Sequence, residues 1–84
     1  MRNFTDQQCK VMLEDIREDK FLAGNNKIYK FATQNDLDNA IDWLLNNNYI
    51  NYKFPPTYTR DKRISFENKE YVIDFDGLNW LASH

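Results

Sequence analysis

Three sets of side chains in this 84-residue chain have types and spacing that can do chemistry. The first is a trio of carboxylates, Asp36, Asp38 and Asp42. Asp38 and Asp42 lie at i,i+4, so a helix would present them on one face, where they could hold a hard cation. Oxygen-rich cation sites usually draw on a loop that adds main-chain carbonyls. A solvated helix face is therefore the better reading, and no metal is expected. The second set suits DNA. Gln34, Asn35 and Asn39 carry amides that can pair with adenine edges. Arg60, Lys62 and Arg63, with Tyr58 beside them, can neutralise phosphates, which supply most duplex affinity. The third set is aromatic. Trp43, Tyr29, Tyr52 and Tyr58 are of the types that dominate protein–protein hot spots; the three tyrosines are expected near the surface, and Trp43 falls about 130° from the apolar stripe of its own segment at roughly 100° per residue.

Catalysis has little to work with. A thiolate nucleophile needs a neighbouring base. Cys9 sits in an apolar helical pattern, and the single histidine is the terminal His84. There is no glycine-rich phosphate loop, no Cys/His cluster at metal spacing and no Ser-His-Asp set. The chain reads as non-enzymatic and free of cofactors.

The elements that would position these groups follow from apolar periodicity. Thr5 with Gln8 forms a capping-box pattern, Phe4 can staple against Cys9, and Cys9, Met12, Leu13 and Ile16 form one face of a helix over about 5–20. Gly24, Asn25 and Asn26 stop it. Residues 27–32 alternate; they predict a short extended segment pairing loosely with a later hairpin, with a cramped helix as the other option. Thr33 or Asn35 caps a second helix over about 35–48, with Leu37, Ala40, Ile41, Leu44 and Leu45 inward and Asp38, Asn39, Asp42 and Asn46 outward. Strands are predicted at 49–54, 64–67 and 70–75. Pro55 and Pro56 interrupt pairing, 57–63 is a polar tip, and a tight turn at Asn68 and Lys69 joins the last two strands. Asp76 and Gly77 turn the chain or cap a closing helix over 78–83. Leu13, Ile16, Leu37, Ile41, Leu44, Val72 or Ile73, Leu78 and Leu81 are the predicted core.

This order predicts one α+β domain over 1–84, a winged helix-turn-helix made of helix, short extended segment, helix, a β wing of two to three strands and a short C-terminal helix. The chain is too short to divide into two cores. Charge is unevenly spread within a net of −2. Residues 1–26 carry four basic and five acidic groups, 27–49 two and three, 50–69 five and two, and 70–84 none and three. Only the wing segment is positive. No apolar run approaches the roughly 18 residues of a membrane span, and the N-terminal residues lack a secretory leader's apolar stretch. One cysteine fits a reducing compartment, so a cytoplasmic location without membrane attachment is expected.

The run Asp36-Leu-Asp-Asn-Ala-Ile-Asp-Trp-Leu-Leu, then Tyr49-Ile50, a wing, and Tyr71-Val-Ile-Asp-Phe-Asp-Gly77-Leu-Asn-Trp-Leu81 resembles the small YjcQ-type winged-helix proteins of Gram-positive bacteria and their phages. In that pattern a helix ending Gly-Tyr-Ile leads into the wing and a Leu-Thr-x-x-Gly-x-x-x-Leu segment closes the domain. The likeness covers about 33–82. Asn48 stands in place of the glycine, and Asp74-Phe75 in place of Leu-Thr. The resemblance implies the fold and a bacterial or phage-infected host cell; it implies no particular activity. The expected function is a DNA-binding regulator that uses the basic wing 60–63 and the helix 35–48 on double-stranded DNA. The alternative is a protein-binding module, such as a phage inhibitor or adaptor of a host protein, using Trp43, Tyr52 and Tyr58. A homodimer is compatible with both.

Overall fold

Helix α1 (Asp6–Arg17) starts at the capping box. The Thr5 hydroxyl accepts the Gln8 N–H at 3.1 Å, and the Gln8 side chain accepts the Thr5 N–H at 2.9 Å. Cys9, Met12, Leu13 and Ile16 are buried along one stripe, and Phe4 joins them in the core. The computed structural model describes residues 2–53, 57–58, 64–65 and 71–84, with only the backbone of 57–58 and 64–65.

The helix stops earlier than the periodicity predicts. Lys20 N–H bonds Asp15 O at 2.9 Å and Asp19 N–H bonds Ile16 O at 3.1 Å. These are the paired bonds of a Schellman stop, with Asp19 left-handed at φ 59°. Helix α2 (Gln34–Asn46) is capped by Thr33, whose hydroxyl accepts the Asp36 N–H at 3.1 Å. It ends the same way: Tyr49 N–H to Leu44 O at 2.9 Å, Asn48 N–H to Leu45 O at 3.3 Å, and Asn48 at φ 63°. Asparagine tolerates that region better than most residues, which is why it can end a helix where glycine is the usual choice.

Residues 27–32 are not an extended segment. The chain closes a single turn, with Phe31 N–H to Asn26 O at 3.0 Å and Lys30 at φ 61°. The alternation in sequence does sort the side chains: Phe31 and Tyr29, which was expected near the surface, are buried, and Ile28 and Lys30 exposed. Side chains take the main-chain groups that a strand partner would have used. Gln8 donates to Tyr29 O and Lys30 O, both at 3.1 Å, and Asn26 donates to Phe31 O at 2.8 Å. Neither predicted option, strand or helix, forms.

Among the described residues four short strands follow: β1 (Ile50–Tyr52), β2 (Thr57–Tyr58), β3 (Ile64–Ser65) and β4 (Tyr71–Ile73). They are nested. β1 pairs antiparallel with β4, setting Ile50 opposite Ile73 and Tyr52 opposite Tyr71, and β2 pairs antiparallel with β3. The predicted partnership of the last two strands with each other is replaced by this nesting, and Thr57 and Tyr58 belong to a strand instead of a polar tip. Pro55, Pro56 and the turn at Asn68 and Lys69 lie outside the described residues.

The last strand is shorter and the last helix longer than predicted. Asp74 is the N-cap of α3 (Phe75–Ser83), its carboxylate accepting the Phe75 N–H at 2.7 Å. Starting the helix at 75 sets its rotation. Gly77 goes inward, Trp80 and Leu81 are half-buried against the core, and Phe75 and Leu78 go outward. Leu78 is thus not a core residue, Val72 is exposed and Ile73 half-buried; the other predicted core positions, Leu13, Ile16, Leu37, Ile41 and Leu44, are buried and Leu81 partly so. The result is a small α+β domain. Among the described residues no helix is long and apolar enough to cross a membrane.

Candidate macromolecule-binding surfaces

The outer face of α2 is built by subtraction. Leu37, Ala40, Ile41 and Leu44 point into the core. That leaves Asn35, Asp38, Asn39, Asp42 and Asn46 exposed. Asn35 and Asn39 therefore share the face expected of a base-reading helix, but with two carboxylates and no Lys or Arg anywhere in α2. Gln34 is already engaged: its amide donates to Ala23 O at 2.7 Å and to the Asp38 carboxylate at 2.9 Å. Freeing it to read a base would cost both bonds, and the net worth of each is about 1 kcal/mol. Arg60, Lys62 and Arg63 lie outside the described residues, as does the Tyr58 side chain.

Of the expected protein-binding aromatics, Trp43 is half-buried and committed. Its ring meets Phe4 edge-on at 5.4 Å and Tyr49 at 5.2 Å. Such T-shaped pairs are worth about 0.5–1.5 kcal/mol beyond area burial, so Trp43 locks the N-terminal approach onto α2 and the strand entry. Tyr52 is different. It is 36% exposed and rests against Tyr71 at 5.7 Å, at the end of an aromatic row that continues through Phe21 to Tyr29.

Comparison of the chain with family models, curated proteins and solved structures finds no match.

Among the described residues the largest apolar exposure is on α3, where Leu78 was expected in the core. Phe75 is 71% exposed and Leu78 47%, and at i,i+3 they stand side by side. Val72, three residues before Phe75, is 40% exposed. Asp74 and Asp76 flank Phe75, and residues 70–84 contain no Lys or Arg. The signal was available in the sequence: an aspartate N-cap at 74 starts the helix at Phe75 and places Phe75 about 160° from Gly77 at roughly 100° per residue.

The titratable groups inside the fold are structural. Burial pushes the Cys9 thiol up to about 11, partly offset by Arg2 and reinforced by Asp6. A thiol so placed is protonated and inert near neutral pH. Burial raises Tyr29 to about 12, with the Leu22 N–H opposing and Asp15 adding; its hydroxyl donates to Asp15 at 2.8 Å and accepts the Leu22 N–H at 3.0 Å. Burial likewise raises Tyr71 to about 12, with Tyr52, Asp42 and Asp38 adding. Among the described residues no three His, Cys, Asp or Glu side chains converge.

Proposed function

We propose that this chain is a non-enzymatic winged-helix accessory module, similar to the YjcQ-type proteins of Gram-positive bacteria and their phages, that works in the cytoplasm by binding a host protein. The observation that carries this reading is the outward stripe of Phe75 and Leu78 on α3, apolar on a helix whose other side is also apolar. Exposed Asp76 and Asn79 lie beside the stripe; an exposed apolar patch rimmed by polar residues marks an interaction site, which a partner would cover. The order of α1, α2, paired strands and α3 supports the winged-helix assignment, and left-handed Asn48 suits the position where the YjcQ pattern carries glycine.

The face of α2 speaks against the duplex. Asp38 and Asp42 would point at phosphates, and no cation on that helix offsets them. One feature supports the second reading, a DNA-binding regulator: residues 50–69 hold five basic and two acidic groups. In that reading the wing alone, through Arg60, Lys62 and Arg63, would do the phosphate work.

The experiment is a capture from nuclease-treated lysate of a Gram-positive host, with wild-type protein and with Phe75→Ser plus Leu78→Ser. Both positions are exposed, so the double variant should keep its fold; surface changes usually stay within about 0.5 kcal/mol. Loss of a specific partner by tenfold or more in the folded variant is the expected result. Retention of the partner by the variant, or capture that disappears with nuclease, would sink the reading.

A further inference from the structure

Beside β4 runs a groove of about 360 Å³, lined by Ile16, Arg17 and Asp19 from the end of α1 and by Tyr71, Val72 and Ile73 in succession along the strand. Lys53 also lines it and pairs with Asp19 at 3.2 Å. The sequence predicts at 27–32 an extended segment pairing loosely with the hairpin, or a cramped helix; those residues close into a turn, and among the described residues the sheet holds β1 and β4.

The hydrogen-bond pattern says which groups face the groove side. Asp74 N–H bonds Tyr49 O at 2.9 Å, one rung beyond the Ile50–Ile73 pair. In an antiparallel ladder, hydrogen-bonded and non-bonded pairs alternate. Asn51 and Val72 are therefore the next bonded pair, and Tyr71 and Ile73 turn their N–H and C=O groups away from β1. Among the described residues neither makes a backbone bond to another segment. An open strand edge is a template for another strand. Two further features narrow what would add to it. The walls are apolar at Ile16, Val72 and Ile73, and exposed Arg17 has no ion-pair partner among the described residues.

We infer that β4 accepts, as an added strand, an extended segment of the partner protein with apolar residues at alternate positions and a carboxylate that meets Arg17. Main-chain bonds to Tyr71 and Ile73 would give the affinity, and the apolar walls and Arg17 the selectivity. The inference rests on the protein-binding reading and gives it a mode of recognition.

The probe is a synthetic peptide alternating Val and Thr with one Glu, added to the full chain and followed by amide exchange and ¹⁵N shifts. In the free protein the Tyr71 and Ile73 amides should exchange at least about tenfold faster than those of Val72 and Asp74, as open groups do relative to bonded ones. Peptide should slow them and shift them, the same peptide N-methylated at alternate residues should not, and Arg17→Gln should weaken the Glu peptide several-fold while leaving a Lys version unchanged. Equal protection of all four amides without peptide, no effect at millimolar peptide, equal binding of the N-methylated form, or self-association through β4 would each overturn the inference. If the captured partner depends on Phe75 and Leu78 while Tyr71 and Ile73 stay unmoved, the protein-binding reading stands without this mode; duplex binding would remove the reading itself.

Discussion

Gly77→Ala should cost about 3 kcal/mol or more, the upper end of what overpacking a tight contact costs. A Cβ at Gly77 would lie 2.2 Å from the Tyr49 carbonyl oxygen and 3.0 Å from Ile73 Cγ1. The first neighbour is backbone, pinned by the Tyr49 N–H bond to Leu44 O and by the Asp74 N–H bond that Tyr49 O itself accepts. It cannot step aside as a flexible side chain would. Glycine is required here for close approach, since its φ lies in the ordinary range. Against a total stability of roughly 5–15 kcal/mol for a domain, such a loss would leave the variant marginal or unfolded. Urea unfolding measures it. A loss below about 1 kcal/mol would show that α3 does not dock on the α2–β1 junction.

Leu44→Ala should cost about 2–5 kcal/mol, the range for a buried leucine that leaves a cavity. Leu44 is fully buried in α2 and its carbonyl anchors the helix stop through Tyr49. Leu78→Ala is the internal control. Leu78 is the same residue type on a helix, but exposed, so its loss should stay near 0.5 kcal/mol. Comparable losses at the two positions would contradict the rotation that the Asp74 cap gives α3, and with it the exposed stripe on which the functional reading rests.

The parts of the fold that were legible in the sequence are those where one signal dominates. Thr5 with Gln8 marked the start of α1, and the stripes Cys9, Met12, Leu13, Ile16 and Leu37, Ala40, Ile41, Leu44 marked the buried faces. Errors fell where two signals compete. At Tyr29 and Phe31 the alternation sorted the side chains, but Gln8 and Asn26 satisfy the main chain locally, so burial came without a strand. At Phe75 the alternation of Tyr71, Ile73 and Phe75 argued for strand and the Asp74 cap argued for helix, and the cap won. That choice decided which residues are exposed, and so Phe75 and Leu78 were missed as candidates while Trp43, whose angle on the wheel pointed outward, is held by Phe4 and Tyr49. The basic cluster at 60–63 is legible only as charge, since its residues lie outside those described.

The claim that this module acts on a protein and not on a duplex is tested most directly by titrating AT-rich and random duplexes into the wild-type chain near roughly 0.15 M salt, where surface attraction is screened beyond about 8 Å. No binding is expected up to about 100 μM, at or below ordinary non-specific affinity, with the amides of Asn35, Asp38, Asn39 and Asp42 unshifted. Tight, salt-sensitive binding whose log–log slope flattens by about two units in Arg60→Ala plus Arg63→Ala, and which Asp38→Ala strengthens, would contradict it and establish the wing-led regulator instead.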